Sequence, residues 1–360
     1  MAFSLKNLIS LLNVAIQHRA SDVHIRTNEV PCLRIRGELV PIQTKSFSSE
    51  DVDDIINILL NNKTSILSNQ KNEIDGAFGI EGLCRLRFNI FRYFGHFGIV
   101  LRIINTQIPN LAGLGVAKVL ANIALQPRGM ILVTGATGSG KSTTLAAMID
   151  HINENHSSHI ITIEDPIEYL HPQKKSRISQ REIGNDTEDF SSGLRSALRQ
   201  DPDVILIGEM RDSQTAEIAL KAAETGHVLF STMHTTNSIA TIGRIISMFS
   251  PEEQPEARKR LAENLYAIIG QRMLLGKNEQ TVIAQEITIT SPGIRDCIAG
   301  KDDINRIPSI IAQSHGKSSS GGQTFDQHIM YLYQKGIIEK DVALEAASSQ
   351  ADFIQKLIVE

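Results

Sequence analysis

The chain has 360 residues, a formal net charge of −4 and an ordinary apolar share of 41%. This length predicts two domains, and the slightly acidic balance gives no global reason to expect a nucleic acid as partner. The three cysteines are far apart and match no CxxC pattern, which favours a reducing compartment over a zinc cluster or a disulfide framework. No stretch approaches about 18 uninterrupted apolar residues, so no transmembrane helix is expected.

The amino-terminal segment has the pattern of an amphipathic helix, because Leu5, Leu8, Ile9, Leu12 and Ile16 recur at helical spacing. It lacks a basic opening cluster and a small-residue cleavage site, so it is not a typical signal peptide. We expect this segment to be a packed amphipathic helix of a cytosolic protein. A membrane-surface helix is the alternative, which the weakly basic polar face disfavours.

Strand and helix signals alternate after this helix. Leu33 and Ile35 alternate with arginines, which is typical of a strand with one wet face. Ser48 stands three residues before Asp51 and predicts the N-terminal cap of a helix. Two further strands are expected in LCRLRFNIFRY and GIVLRII. Residues 1–104 are therefore predicted to form a small α+β domain.

A linker and a larger domain are predicted next. Residues 105–115 hold a proline, two glycines and little periodicity, which favours a linker. Residues 116–360 are the predicted second domain, where apolar strands alternate with helices as in a mostly parallel α/β sheet. After about residue 250 the pattern is helical except for one strand at 281–289. Residues 315–324 are Ser/Gly-rich and predict a flexible loop.

A phosphate-binding motif lies in the second domain. GATGSGKS satisfies GxxxxGK[ST], a pattern whose glycines let backbone N–H groups surround phosphates. Lys141 is expected to reach the β- and γ-phosphates of ATP and Ser142 to offer its hydroxyl to Mg²⁺. A plain glycine-rich turn is the alternative, disfavoured by the strand before and the helix after. The predicted nucleotide-binding residues are Gly135, Ala136, Thr137, Gly138, Ser139, Gly140, Lys141, Ser142 and Thr143.

Two other apolar runs end in carboxylates. Glu164 follows the first, and acids at the carboxyl end of such a strand lie beside the ligand crevice. Glu164 would orient a Mg²⁺-bound water or the attacking water; an acidic helix start is an equal alternative. Glu209 follows Val204–Ile207 and Gly208, where many nucleoside triphosphatases place an aspartate. We expect Glu209 to position a water for in-line attack, with a surface ion pair to Arg211 as the alternative.

A histidine and two arginines are weaker candidates. His234 follows a strand and would be able to sense a γ-phosphate, although a structural histidine is the more common case. Arg195 and Arg199 share one helix face and would stabilise charge on a transferring phosphoryl group, in cis or from a neighbouring subunit. A solvated face, or ion pairs with Asp201 and Asp203, is equally open.

Together these stretches resemble the type IV pilus retraction ATPases (PilT/PilU type) of the secretion-ATPase superfamily. The matching segments are SDVHI and LRIRGEL in the first domain, the Walker A motif, ITIEDPIEYLH as the acidic box, ALRQDPDVILIGEMRD as a variant Walker B with glycine in place of aspartate, and AAETGHVLFSTMHTTN as the histidine box. Four motifs stand in the family's order, and the resemblance covers nearly the whole chain.

The resemblance implies an α/β protein with a PAS-like N-terminal domain and a RecA-like P-loop ATPase domain with a helical C-terminal region. It further implies a cytoplasmic homohexamer, peripheral at the inner membrane, that couples ATP hydrolysis to pilus retraction (twitching motility) through a membrane platform protein.

The resemblance also assigns roles to residues. It implies that Glu209 is catalytic, and it favours functional roles for Glu164 and His234, with Ser142 and Glu164 at the metal. The arginines it favours at the subunit interface are Arg195, Arg199, Arg87 and Arg102, the last two on strands of the N-terminal domain.

One segment departs from the family. Retraction ATPases often carry an AIRNLI-like segment that retraction requires, and here GIRDCI stands at 293–298. Arg295 is kept, whereas Gly293 and Asp296 replace alanine and asparagine.

Three alternatives stay open at this point. A regulatory PilU-like subunit would join a paralogous motor ring. A pilus extension or type II secretion ATPase usually carries a tetracysteine segment, which this sequence does not have. A nucleic-acid translocase would need a basic stripe or stacking aromatic residues, and the net acidity and low aromatic content disfavour it.

Overall fold

Two compact units make up the chain, Met1–Gln107 and Ile108–Glu360. The computed structural model describes residues 3–18, 20–35, 37–61, 73–80, 82–104, 108–277, 280–314 and 321–359. The predicted domain and linker boundaries stay a prediction, since residues 105–107 lie outside the described residues, as do residues 315–320 of the predicted Ser/Gly loop. Within the described ranges, no helix is long and apolar enough to span a membrane.

The first unit is a six-stranded antiparallel sheet with helices on one face. Its strands follow the order β3-β2-β1-β6-β5-β4, and each neighbouring pair is antiparallel. One face packs with both helices in a single apolar core, and the other face carries the charged side chains. The elements are α1 (Leu5–Gln17), β1 (Asp22–Arg26), β2 (Cys32–Ile35), β3 (Glu38–Pro41), α2 (Ser49–Leu59), β4 (Glu73–Ile80), β5 (Cys84–Tyr93) and β6 (His96–Ile104).

The first helix packs as predicted, but on a rotated face. Leu8 and Leu12 are fully buried and Leu11 joins them, whereas Leu5 and Ile16 are exposed. The buried stripe, which also includes Ala15, is therefore shifted around the helix axis relative to the predicted one.

The second helix begins at its predicted cap. The Ser48 hydroxyl accepts a hydrogen bond from the Asp51 N–H (3.2 Å), and the Asp51 carboxylate accepts one from the Ser48 N–H (3.0 Å). This reciprocal arrangement satisfies two backbone donors that the first helical turn leaves open.

The second unit is built on a seven-stranded sheet of order β13-β12-β7-β11-β10-β8-β9. All neighbouring pairs are parallel except β12 and β13. Its elements are α3 (Val119–Ala124), β7 (Gly129–Thr134), α4 (Lys141–Asn155), β8 (His159–Glu164), β9 (Arg177–Glu182), α5 (Phe190–Ala197), β10 (Val204–Ile207), α6 (Ser213–Glu224), β11 (Val228–Met233), α7 (Ser238–Ser247), α8 (Gln254–Asn264), β12 (Leu265–Leu275), β13 (Thr281–Ile289), α9 (Pro292–Ala299), α10 (Ile307–Ser314), α11 (Phe325–Gln334), α12 (Lys340–Ala346) and α13 (Gln350–Val359).

Helices cover both faces of this sheet, so its central strands are buried on both sides. In β7, Met130 and Leu132 join one core cluster with α5 to α10, while Ile131 and Val133 join a second with α3 and α4. Such a strand needs apolar residues at every position, as its sequence shows. The fold-class prediction is confirmed: an α+β unit precedes a larger α/β unit with a helix-rich C-terminal part.

The sequence analysis did not predict two of the strands. The prediction of a single strand after about residue 250 was wrong, because Leu265–Leu275 forms the 11-residue β12 between β7 and β13. A strand buried on both faces cannot be told from a buried helix by periodicity. Arg177–Glu182 forms β9 at the sheet edge, and Ile178 is its one apolar residue, so the segment gives little apolar signal.

Candidate functional site

The phosphate-binding loop connects β7 to α4 and depends on glycine. Gly135 has a φ of +148° and Gly138 a φ of +81°, a region of backbone conformation that favours glycine. A Cβ atom at Gly135 would lie 2.5 Å from both the carbonyl oxygen of Gln271 and the Oγ of Ser139. The loop is thus pressed against β12 at its first residue, and a side chain there would push it away.

Lys141 is the first residue of α4 and points back over the loop. Its buried ammonium donates hydrogen bonds to the carbonyl oxygens of Gly135 and Ala136, both at 2.9 Å. Burial lowers the pKa of Lys141, and the negative charges of Glu209 and Glu168 oppose that shift. The ammonium therefore lies within the electrostatic reach of both carboxylates, at the positive end of α4.

A cavity of about 550 Å³ opens at the carboxyl ends of neighbouring strands. It is lined by the loop and the start of α4, by Glu164 and the segment after β8, by Glu209 and Arg211 after β10, and by His234 after β11. Parallel strands bring their carboxyl ends to one edge of a sheet, which is where ligands bind in this class of fold. One cavity is thus lined by residues of the predicted phosphate loop together with Glu164, Glu209 and His234.

Glu164 is held by neutral donors. Its Oε1 accepts hydrogen bonds from the Thr162 hydroxyl at 2.6 Å and from the Gln180 side-chain amide at 3.2 Å. Burial raises the pKa of Glu164, and these two hydrogen bonds oppose the rise. The same amide also donates to the Tyr169 carbonyl at 2.8 Å, so Gln180 joins Glu164 to the segment that follows it.

Glu209 is held by cationic or ionisable partners. Its Oε2 lies 2.6 Å from the NH2 of Arg211, and its Oε1 lies 3.4 Å from the Nε2 of His234. The Glu209 side chain is mostly buried, at 17% exposure. The ion pair with Arg211, which was the alternative for Glu209, is present: Arg211 is 60% exposed at the edge of the cavity, whereas Glu209 is mostly buried.

His234 bridges two parts of the cavity. Besides approaching Glu209, its Nδ1 lies 3.5 Å from the Thr137 hydroxyl of the phosphate loop. The following turn is fixed because Asn237 caps α7, its Oδ1 accepting a hydrogen bond from the Ala240 N–H at 2.8 Å. His227 lies at the other end of β11, where its Nδ1 contacts the Ala222 carbonyl at 2.9 Å. This contact indicates a structural role for His227.

The four arginines predicted at a subunit interface are divided between the two units. Arg195 and Arg199 are exposed on and after α5, and the Arg199 guanidinium donates to the Arg195 carbonyl at 3.0 Å. Arg87 and Arg102 face each other across β5 and β6 in the first unit. Arg102 donates to the buried carboxylate of Asp22 at 2.9 Å. Their roles at a subunit interface stay predictions.

The pair of Glu209 with Arg211, which the sequence analysis gave as the alternative to a catalytic Glu209, is present. Two other residues of the site were missed in the sequence. Gln180 lies on β9, whose polar pattern gave no signal of a strand. His171 lines the cavity, and burial lowers its pKa to about 4; its place in the stretch that resembles the acidic box was the available hint.

The oxygen groups of the cavity suit a magnesium ion. Mg²⁺ is usually held by one or two protein oxygens together with substrate phosphates and water. The Ser142 hydroxyl and the Glu164 carboxylate line the same cavity and provide such oxygens. In the described part of the chain, no group of three or more His, Cys, Asp or Glu side chains forms an all-protein metal site.

Comparison with known proteins adds to this geometry. The family described as type II/IV secretion system protein matches residues 2–315. The type IV pilus retraction ATPase PilT of Pseudomonas aeruginosa is 40% identical over 347 residues, covering 96% of this chain and 100% of that protein. The type IV pilus ATPase PilU of the same organism is 35% identical over 345 residues, covering 95% and 89%. The crystal structure of the pilus retraction motor PilT with bound ADP superposes with a TM-score of 0.88 and 37% identity, covering 97% of this chain and 99% of that one.

The chain belongs to the type II/IV secretion system family, in its PilT/PilU group. The predicted family is thereby confirmed over nearly the full chain.

The segment that departs from the group's pattern forms helix α9, which buries Ile294, Cys297 and Ile298 in the core and leaves Arg295 exposed. Arg295 donates from its Nε to the Ala262 carbonyl of α8 at 3.1 Å. A Cβ atom at Gly293 would contact only the Cδ1 of Ile310, at an ordinary 3.5 Å. The helix therefore has room for the alanine that other members carry, and the glycine is not required by packing.

Proposed function

We propose that this chain is a motor ATPase that hydrolyses ATP in the cavity at the carboxyl ends of β7, β8, β10 and β11, and that it drives type IV pilus retraction. One observation carries the proposal: Lys141, Glu164 and Glu209 converge on one cavity in a chain of the PilT/PilU group. A phosphate-gripping lysine beside two strand-end carboxylates is the arrangement that phosphoryl transfer to water requires.

Each group has a proposed task. The loop N–H groups and Lys141 hold the phosphates, since they combine backbone donors with a positive helix end. A bound Mg²⁺, held by Ser142 and Glu164, would neutralise charge on the phosphates. Glu209 orients the attacking water and accepts its proton, and His234 connects Glu209 to the phosphate loop.

The proposed working form is a cytoplasmic homohexamer at the inner membrane. Arg87 and Arg102 of one subunit, or Arg195 and Arg199, would complete the site of a neighbour by stabilising transferred charge. The proposed partners are an inner-membrane pilus platform protein and a paralogous retraction ATPase, and no nucleic acid is expected. Support comes from the similarity to a type IV pilus retraction ATPase and to the structure of a pilus retraction motor.

A second candidate is a PilU-like subunit that depends on a paralogous ring. The 35% identity to a protein named PilU supports this second candidate. The intact loop lysine and both strand-end carboxylates favour autonomous hydrolysis instead, because they are the groups that phosphoryl transfer uses.

Steady-state ATP hydrolysis by the purified chain, with the assembly mass measured on the same samples, tests the proposal. We expect a hexamer whose Mg²⁺-dependent turnover falls about 10²- to 10⁴-fold in Glu209→Gln, while ATP binding persists. Glu217→Gln is the matched control, because Glu217 is exposed on α6. Equal and negligible turnover in wild type and Glu209→Gln would contradict autonomous hydrolysis and support the PilU-like candidate. Retraction itself is tested by loss of twitching in cells that carry Glu209→Gln.

A further inference from the structure

Arg211 is held in place by the backbone on both sides of it. Met210 is buried and its N–H donates to the Thr232 carbonyl of β11 at 3.2 Å. Asp212 caps α6, its Oδ1 accepting from the Thr215 N–H at 2.8 Å. The Cα of Arg211 is thus fixed between a sheet contact and a helix cap, and only its side chain is free to move.

The guanidinium of Arg211 spans from solvent to the cavity. Its side chain is 60% exposed, yet its NH2 lies 2.6 Å from the mostly buried Oε2 of Glu209. The other oxygen of Glu209 faces His234. Both carboxylate oxygens therefore have a partner, and the orientation of Glu209 is set by Arg211 on one side and by His234 on the other.

Arg211 differs from the second cation near Glu209. Lys141 donates to the loop carbonyls of Gly135 and Ala136, so its ammonium lies at the phosphate loop, where its proposed task is to hold phosphates. The contact of the Arg211 NH2 with the Glu209 Oε2 is short, at 2.6 Å, and a planar guanidinium is a more pre-organised donor than a flexible ammonium. This geometry suits a group that orients Glu209.

Resting on the proposed function, we propose that Arg211 is a positioning residue for hydrolysis, which holds the Glu209 carboxylate in the orientation that directs the attacking water. It acts through Glu209 and not on the phosphates. Displacing a reacting group by about 1 Å is enough to cost on the order of 100-fold in rate, so the effect falls on kcat and leaves nucleotide affinity nearly unchanged.

The test compares Arg211→Ala, Arg211→Lys and the control Arg244→Ala, since Arg244 is exposed on α7. We expect kcat to fall about 10- to 100-fold in Arg211→Ala with KM changed less than about threefold. Arg211→Lys should recover part of the loss, because it restores the charge without the planar guanidinium. Arg244→Ala should match wild type. If Arg211→Ala does not fold, Arg211→Gln takes its place in the comparison with Arg211→Lys.

A double-mutant cycle with Glu209→Gln, read in single-turnover assays, decides how Arg211 acts. If Arg211 works through Glu209, then Arg211→Ala adds no loss in the Glu209→Gln background. An equal loss in both backgrounds, or a KM that rises while kcat is kept, would overturn the inference. If the wild type hydrolyses ATP and Arg211→Ala is unaffected, the inference about Arg211 is wrong and the proposed function stands. If the wild type does not hydrolyse ATP, the proposed function is wrong as well.

Discussion

Gly208 lies against the backbone of Glu164. A Cβ atom on Gly208 would lie 3.4 Å from the Glu164 Cα and 3.4 Å from the Ile163 carbonyl oxygen. The Gly208 N–H donates to that same carbonyl at 2.8 Å, which continues the pairing of Ile207 with Ile163 in the parallel ladder. The two strands that supply the carboxylates therefore leave the sheet side by side, with little space between them.

This relationship predicts different outcomes for two substitutions at Gly208. A methyl group at 3.4 Å makes an ordinary contact, so Gly208→Ala should stay within about 1 kcal/mol of wild type in the free energy of unfolding. Gly208→Asp would add a charge beside Glu164 and should cost about 1–3 kcal/mol. Urea denaturation of both variants measures the difference, and equal stabilities of the two would contradict it.

The phosphate loop offers a matched pair of glycines. A Cβ at Gly138 meets no atom within 4 Å, whereas one at Gly135 meets Gln271 and Ser139 at 2.5 Å. Gly138→Ala should cost only the strain of a left-handed backbone, about 1–2 kcal/mol, with nucleotide binding kept. Gly135→Ala should displace the loop and abolish binding. Titration with a fluorescent ATP analogue compares them, and indistinguishable affinities would refute the close approach to β12.

The two histidines that flank β11 should separate activity from stability. His234→Asn removes the contact with Glu209 and should lower kcat about 10- to 100-fold while the midpoint of thermal unfolding stays near the wild-type value. His227→Asn removes the contact with the Ala222 carbonyl and should cost about 1 kcal/mol with kcat unchanged. Assays of hydrolysis and thermal unfolding on both variants check this, and the opposite pattern would return His234 to a structural role.

His171 predicts how stability depends on pH. Burial lowers its pKa from 6.5 to about 4, with the charge of Lys174 acting in the same direction and Asp150 opposing. The folded state therefore binds fewer protons than the unfolded state between these values, so the contribution is full above pH 6.5 and is lost as the pH falls toward 4. At pH 5 the loss is about 2 kcal/mol. Urea denaturation at pH 7 and pH 5 should show a smaller decrease in His171→Gln than in wild type or in His156→Gln, whose side chain is exposed; identical decreases in all three would contradict it.

Much of the site could be predicted because its signals are local in sequence. The phosphate loop has a fixed spacing, and Glu164 and Glu209 each follow a short apolar run that ends at the same edge of the sheet. Parallel pairing then brings such strand ends together without further information.

The unpredicted parts depend on contacts distant in sequence. Gln180 reaches Glu164 only because β9 pairs with β8 at the polar edge of the sheet. β12 follows α8 without a break at Asn264, so no turn signal marked where the helix ends. The exposed Arg211 pairs with Glu209 as the alternative had it, but a charge pair two positions apart in sequence gives no indication that it borders a cavity.

The place of β12 beside β7 has a consequence for how the protein is made. Gly135 of the phosphate loop packs directly against the backbone of Gln271 in β12. The Gln271 amide donates to the Thr144 hydroxyl of α4 at 2.8 Å. The phosphate-binding loop leaves the ribosome long before β12 does. A nascent chain that ends before β12 therefore lacks the strand against which this loop packs. ATP affinity should therefore arise late in synthesis and abruptly, when β12 leaves the exit tunnel and pairs with β7.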